Sequence, residues 1–351
     1  MARMTPHERI EAFWNRQQPD RIPITIYSFF TGNDPATSPW RPLFERGLCP
    51  TFHVWTAKRT YTDDRIKWVK TEYTENGKKC IREALQTPVG EIYNLWEEGW
   101  QQKHMLVTAE DYKVMTYAVE HTRVEPNYAI WDEMTAKYAP WGVPLAIVGR
   151  TPLQMILVDW AGLEQFSMHL YDFEQEVMAL YHAQLRVFRE TAAIVAGGPG
   201  KFVSDMENFT AETMGPARFA ELHVPVYKEC FPQLQQAGKI VGCHFDGKVA
   251  SCAKLIAESP IDLMESLTPP PEGDMTLPQC RQAWPDKLFW SNINVSSFEL
   301  PPEKLKELLY QRIAEGSVDG RLFAFEISED VPPNWQQSVP VVLDALEALK
   351  P

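Results

Sequence analysis

The feature that most constrains the fold of this chain is a regular alternation of short apolar runs with amphipathic segments after residue 140. Runs of this length, bounded by turn residues, are typical of buried parallel strands. Six of them follow one another, at 144–149, 201–208, 239–247, 261–267, 288–294 and 322–328. The run at 22–27 and a second within 48–55 bring the number of predicted strands to eight.

The segments between the runs have helical spacing. Apolar residues recur every three or four positions over 172–195, and a second helix is predicted from about 217 to 236, with Gly238 as its C-terminal stop. Near the N-terminus, Thr5 and Glu8 have the spacing of a capping box, which predicts a helix before the first strand.

Eight strand and helix units predict a (β/α)8 TIM-type barrel, with a doubly wound open sheet as the competing architecture. The strand count favours the barrel, as does the lack of a glycine-rich nucleotide-binding loop after any strand. We predict a single barrel domain over 1–351. The irregular stretch 57–140 is predicted to be an insertion with helices and a β-hairpin, whose turn is Asn76-Gly77.

Composition excludes several classes of protein. The net charge of −13 argues against nucleic-acid binding, which needs an excess of lysine and arginine. No stretch approaches the roughly 18 apolar residues of a membrane span, and the first residues do not resemble a signal peptide. The six cysteines are scattered without a C-x-x-C pair, as is usual for reduced thiols. We therefore expect a cytoplasmic protein.

Polar residues mark the ends of the late strands, where the active site of a parallel barrel lies. His244 and Asp246 stand two positions apart, so both face one side of their strand, and Cys243 faces the other. Carboxylates end three other runs, and asparagines end a fourth. These strand-end residues are Glu207, Glu265, Asn292, Asn294, Glu326 and Glu329.

Each of these residues also has a structural interpretation. A lone strand histidine is more often a hydrogen-bonded core residue, and Asp246 before Gly247 is also typical of a turn. Glu207 and Glu265 could each pair with an arginine, and Glu329 could be a solvated loop charge. Together, however, one histidine and several carboxylates at neighbouring strand ends form a usable set of zinc ligands.

Aromatic and amide side chains complete the predicted site. The stretch "YSFFTGND" follows the first strand directly, so Tyr27, Phe29 and Phe30 are predicted to line an apolar pocket for an aromatic or methyl-bearing small molecule. Asn208 and Asn292 are also predicted to contact the substrate.

Several stretches resemble the uroporphyrinogen decarboxylase superfamily. They are "RIEAFWNRQQPDRIPI", "MENFTAETMGPARFAELHVPVYKECFPQLQQAGKIVGCHFDGK", "MESLTPPPEGD" and "ISEDVPPNW", in the expected order over nearly the whole chain. The resemblance implies a distorted (β/α)8 barrel. The decarboxylase branch has an arginine-rich loop after its first strand, of the type "RQAGR", whereas this chain has "YSFFTGNDP" there.

The resemblance therefore points to the other branch, the corrinoid-dependent methyltransferases. Thiol-methylating members bind zinc through a His-x-Cys motif and a later cysteine. Here His244 matches the histidine, Asp246 stands at the first cysteine, and Glu329 stands near the last. Demethylating members have zinc ligands in the order Glu, Glu, His, which Glu207, Glu221 and His244 match.

The resemblance implies an O-demethylase-type methyltransferase that moves a methyl group from a small, methoxyaromatic donor to a corrinoid carried by a partner protein. His244, Asp246 and Glu265 are the expected catalytic residues, and His244, Glu207 and Glu329 the expected zinc ligands. Zinc would activate the ether oxygen, or a protonated carboxyl would act as a general acid instead. A homodimer is compatible with the sequence. Decarboxylation of a small acid and a catalytically silent ligand-binding barrel are the alternatives.

Overall fold

The predicted (β/α)8 barrel is confirmed by the computed structural model, which describes residues 4–32, 34–327 and 329–349. Eight parallel strands close in the order β1-β14-β13-β12-β11-β10-β9-β2. The strands, in chain order, are β1 Ile24–Tyr27, β2 Leu48–Val54, β3 Ala57–Tyr61, β4 Lys67–Glu75, β5 Lys78–Thr87, β6 Gly90–Glu97, β7 Trp100–Lys103, β8 Thr122–Pro126, β9 Val143–Gly149, β10 Phe202–Asp205, β11 Ile240–His244, β12 Leu263–Leu267, β13 Leu288–Asn292 and β14 Phe323–Ile327. All eight predicted runs contain a barrel strand, and position 328 of the last run lies outside the described residues.

Helices connect the strands. They are α1 Pro6–Trp14, α2 Ser28–Thr31, α3 Arg41–Arg46, α4 Ala109–Glu120, α5 Ala129–Tyr138, α6 Pro152–Met155, α7 Leu163–Asp172, α8 Glu174–Gly197, α9 Ala211–Met214, α10 Pro216–Arg218, α11 Val224–Gln236, α12 Ala253–Ala257, α13 Leu277–Ala283, α14 Pro302–Gly316 and α15 Trp335–Ala348. Two π-helical turns, Ile156–Ala161 and Phe219–His223, and two 3₁₀ turns, Ala250–Cys252 and Val295–Glu299, accompany them. Within the described residues, no helix has both the length and the apolar composition needed to cross a membrane.

The helix predicted over 217–236 is present, but a π-helical turn interrupts its regular geometry in the first half. The chain there forms α10, then the π-helical turn, and only then the regular helix α11. Pro225 explains the change, because it has no amide hydrogen to donate to the carbonyl of Glu221, four residues earlier. The N-terminal prediction is confirmed, since the Thr5 side chain accepts from the Glu8 amide and Glu8 accepts from the Thr5 amide.

The described chain divides into two compact units. One comprises the residues up to Thr56, 127–148 and those from Val195 onward, and it holds the barrel. The other comprises 57–126 and 149–194, and it contains the antiparallel pair β3 and β8 and the four-stranded antiparallel sheet β4-β5-β6-β7. The hairpin of β4 and β5 turns at Asn76 and Gly77, both with positive φ. Description of the chain as one domain with an insertion stays a prediction.

Aromatic side chains fill the lower part of the barrel. Trp14 stacks on Phe202 with ring centroids 5.2 Å apart, and Trp290 packs edge-on against both rings. The indole Nε1 of Trp290 donates to Thr25 Oγ1 at 2.9 Å, which satisfies its polar atom. This apolar layer closes the barrel below the carboxyl ends of the strands, where polar residues begin.

Candidate functional site

The polar residues of the barrel interior stand directly above its apolar layer. Each follows a core residue by two positions, so strand geometry directs it to the same inner face, one layer nearer the carboxyl end. The pairs of core and polar residue are Phe202 and Ser204, Leu263 and Glu265, Trp290 and Asn292, and Ala324 and Glu326. All four polar residues are buried. The same spacing predicted the inward direction of His244.

The hydroxyl of Tyr27 links His244 to Glu265 in this layer. It lies 3.1 Å from Nδ1 of His244 and donates to Oε1 of Glu265 at 3.2 Å. A phenol has one hydrogen, so when Tyr27 donates it to Glu265, its oxygen accepts a hydrogen bond from Nδ1–H of His244. The other oxygen of Glu265 accepts from Ser204 Oγ at 2.5 Å. Glu265 therefore has a donor on each oxygen.

His244 reaches the outer end of the site. Its Nε2 lies 3.5 Å from Oδ2 of Asp246, which also accepts from Asn208 Nδ2 at 2.9 Å. The predicted pair of His244 and Asp246 is therefore in contact. Cys243 lies on the opposite side of the strand, where its thiol contacts Asp205, and burial raises its pKa far above the usual range. It is not a thiolate at neutral pH.

Glu326 lies in the same layer with a different environment. Its Oε2 accepts from the amide and the hydroxyl of Ser266, at 3.2 and 2.8 Å. Ser266 has a left-handed backbone, with φ of 53°, and the pairing of β12 with β13 shifts register there. This bulge turns the Ser266 amide toward Glu326. Oε1 of Glu326 has no hydrogen-bond partner in the described part of the chain.

The two buried glutamates have unequal affinities for a proton. Burial and the neighbouring Glu265 raise the pKa of Glu326 to about 8. Burial also raises the pKa of Glu265, but His244 and hydrogen bonds from Ser204 and Tyr27 act in the opposite direction. Unequal environments of this kind assign the proton of a carboxyl pair to one member. Glu326 is that member, because both oxygens of Glu265 accept hydrogen bonds, whereas among the described residues only Oε2 of Glu326 does so.

Asp246 and His244 stabilise each other's charge. Burial disfavours the imidazolium, but the contact with Asp246 and the nearby glutamates raise the pKa of His244 overall. Burial likewise disfavours ionisation of Asp246, but His244 and Asn208 lower its pKa overall. The layer thus combines an ion pair at its outer end with a protonated Glu326 inside.

No known family model and no curated protein matches this chain. Among solved structures, the fold is similar to that of a methyltransferase from Methanosarcina mazei, with a TM-score of 0.58 over 98% of this chain and 98% of that chain. The two sequences are 9% identical. At that identity, the likeness establishes the shared fold.

The expected zinc ligands are not arranged around one position. Oε1 of Glu207 accepts from the hydroxyl of Tyr227 at 2.7 Å and lies 3.6 Å from Nδ1 of His223, so it faces α11 and the adjoining π-helical turn. Glu329 accepts from Thr268 at 3.1 Å and is exposed. Among the described residues, no three histidine, cysteine, aspartate or glutamate side chains are placed to hold a metal ion.

The predicted substrate-contacting residues occupy several environments. Phe29 is 60% exposed and stacks on Tyr27 at 5.1 Å, and Phe30 lies 4.5 Å from Phe29. Asn292 is buried and lies near Glu329, whereas Asn208 donates to Asp246. Their contact with a substrate stays a prediction.

Sequence reasoning assigned no role to three important members of the site. Glu326 was counted among the strand-end carboxylates, but nothing marked it above Glu329. Ser204 lies two positions after Phe202, and that spacing was the only available signal. Ser266 had no signal, because its role depends on a left-handed bulge that its residue type does not require.

Proposed function

We propose that this protein is a methyltransferase that removes a methyl group from a small methoxyaromatic donor and passes it to a corrinoid carried by a partner protein. The resemblance of the sequence motifs supports this function, and the shared fold with a methyltransferase is compatible with it. The observation that carries the proposal is the free Oε1 of the buried, protonated Glu326.

A protonated carboxyl group suits ether cleavage, because the oxygen of a methyl ether is a poor leaving group until it gains a proton. Glu326 holds a proton at neutral pH, since its pKa is about 8. Ser266 occupies Oε2 with two hydrogen bonds, so Oε1–H is the part of the group left to donate. A general acid of this kind contributes on the order of 10²–10⁴ in rate.

In the proposed step, the methyl acceptor would be the corrinoid of the partner protein, whose reduced cobalt would supply the electron pair that takes up the methyl group. The carbon–oxygen bond breaks, its electron pair stays on the ether oxygen, and that oxygen takes the proton from Oε1 of Glu326. Glu326 is left as a carboxylate. Tyr27 and Ser204 donate hydrogen bonds to Glu265, and the exposed Phe29 ring offers a stacking surface for the aromatic donor.

Zinc activation of the ether oxygen has no support from the donor arrangement. Glu207 faces Tyr227 and His223. The two ring nitrogens of His244 contact Tyr27 and Asp246. These residues do not fit a shared zinc site, so no step is assigned to a metal. Decarboxylation is not favoured either, because a carboxylate substrate would be repelled by Asp246 and Glu265.

The test is a methyl-transfer assay with the purified full chain. Reduced cobalamin and a panel of methoxyaromatic compounds are incubated with the enzyme, and methylcobalamin and the demethylated phenol are quantified together. We expect equal amounts of both products. Glu326→Gln should lower the rate at least about 100-fold, because Gln keeps the shape and hydrogen-bond acceptor but has no acidic proton. Metal content is measured on the same samples.

Glu303→Gln is the matched control, since it removes an exposed carboxyl on α14. It should leave the rate unchanged. Absence of transfer by the wild-type protein over the whole panel would refute the proposed function. Transfer that disappears with removal of a bound metal, and not in Glu326→Gln, would refute the general acid.

A further inference from the structure

The strand β4 is an open edge of the four-stranded sheet. It pairs with β5 on one side, and on the other side it is the outermost strand of the sheet. All nine residues from Lys67 to Glu75 are exposed, so both faces of the strand meet solvent. In the part of the chain that the structure describes, no backbone hydrogen bond joins the outer side of this strand to another segment. A long open edge is a template for pairing with another strand.

This edge exposes apolar side chains that a solvated strand would not require. Trp68 is 52% exposed, and Val69 and Tyr73 are each 37% exposed. On the face that carries Tyr73, the cross-strand ladder continues through Cys80 and Glu97 to Trp100, which is 76% exposed. Aromatic and apolar groups beside an unpaired edge indicate that a partner strand covers it.

The sequence of β4, "KWVKTEYTE", is complementary to itself when read in the opposite direction. If two copies pair antiparallel with Thr71 opposite Thr71, each lysine meets a glutamate. Lys67 lies opposite Glu75, and Lys70 lies opposite Glu72. Val69 lies opposite Tyr73, which places an apolar pair on each side of the central threonines. Opposite charges and aromatic–β-branched pairs are the favourable cross-strand combinations.

Neighbouring registers lose this complementarity. A shift that centres the pair on Lys70 places two lysines opposite each other, and one that centres it on Glu72 does the same for two glutamates. Like charges directly opposite are destabilising. Registers centred between residues place at most one lysine of each strand opposite a glutamate. One register therefore satisfies all four charged residues of each strand.

We propose that β4 is a homodimer interface, in which two copies of this chain join their edges antiparallel about a twofold axis at Thr71 and form one eight-stranded sheet. The occupant is a second copy, because the strand matches itself in charge and in apolar pattern. A twofold interface must be self-complementary in this way. Strand addition supplies backbone hydrogen bonds, and the charged pairs select the register.

The test uses a single introduced cysteine. All six native cysteines are buried, so a cysteine at position 71 would be the exposed thiol. Opposite residues in an antiparallel pair have Cα atoms about 4.5–5.5 Å apart, within the roughly 4.4–6.8 Å that a disulfide spans. Thr71→Cys should therefore become a covalent dimer on mild oxidation of the full chain. Thr74→Cys is the matched control, because it would face Trp68 of the second copy and should stay uncrosslinked.

Charge reversal tests the register in solution. The molar mass of the wild type is measured by light scattering over a dilution series, and we expect a dimer that dissociates on dilution. Lys70→Glu should weaken dimerisation at least tenfold, and adding Glu72→Lys should restore it, because the double variant is again self-complementary. Lys254→Glu, an exposed change in the barrel unit, should have no effect.

A wild-type monomer at every concentration would overturn the proposal. So would equal crosslinking of the two cysteine variants, or a double variant no better than Lys70→Glu. Circular dichroism of each variant separates loss of dimerisation from loss of folding.

Discussion

Replacing Glu326 by glutamine should stabilise the folded protein, increasingly so as the pH rises. The carboxyl is fully buried, and burial together with Glu265 holds its pKa at about 8, compared with 4.5 in a solvated chain. Between these two values the folded protein keeps a proton that the unfolded chain has lost. The folded state therefore loses stability as pH rises through this window, and the penalty is complete above the folded pKa.

The size of the effect follows from the two pKa values. Each pH unit within the window lowers the free energy of unfolding of the wild type by about 1.4 kcal/mol, relative to a variant whose residue 326 does not titrate. The window from 4.5 to about 8 is about 3.5 pH units wide, so the full penalty is about 5 kcal/mol, with about 3 kcal/mol of it present at pH 7. Below pH 4.5 the penalty vanishes, since both states are protonated.

The assay is urea unfolding followed by tryptophan fluorescence, for which the chain has 12 tryptophans. Wild type, Glu326→Gln and the exposed control Glu303→Gln are compared at about pH 5 and about pH 8. The advantage of Glu326→Gln should grow by about 4 kcal/mol between these conditions, whereas the control should follow the wild type. A difference that does not change with pH, or one that shrinks as pH rises, would refute the assignment of the proton to Glu326.

Two further predictions concern stability. Thr5→Ala removes one half of the capping box of α1 and should cost about 1 kcal/mol in urea unfolding; Thr5→Ser should cost little, and an unchanged Thr5→Ala midpoint would contradict the importance of the cap. Gly242→Ala would place a Cβ atom 2.5 Å from Cζ of Phe202 and should destabilise the barrel by about 1–3 kcal/mol. Combining it with Phe202→Leu should recover part of the loss, and a lack of recovery would show that Phe202 is not the obstacle.

The sequence determined the architecture because buried parallel strands have a local signature. Each barrel strand is a short apolar run, so the eight runs were recognisable without any knowledge of their neighbours. The inward direction of His244 and its contact with Asp246 also followed from local geometry, since alternate residues of a strand share a face. The capping box at Thr5 was readable for the same reason, because both of its partners lie within four residues.

Tertiary structure decided which distant residues share the site. Glu207 follows β10 and Glu265 lies in β12, the two neighbours of β11, yet Glu207 bonds to Tyr227 on α11 and Glu265 bonds to Tyr27. Strand periodicity alone does not distinguish these outcomes, because the chain leaves the regular strand before Glu207. The expected zinc set combined residues that satisfy their hydrogen bonds elsewhere.

The most informative contact of the site was also the least predictable. Ser266 binds Glu326 across 60 residues of sequence, and it does so with a left-handed backbone where the pairing of β12 with β13 shifts register. Burial then changes the chemistry of Glu326, since the same carboxyl in water would have lost its proton. Residue type and spacing thus determined the strands and the polar character of their ends, whereas closure of the barrel determined which carboxyl remains an acid.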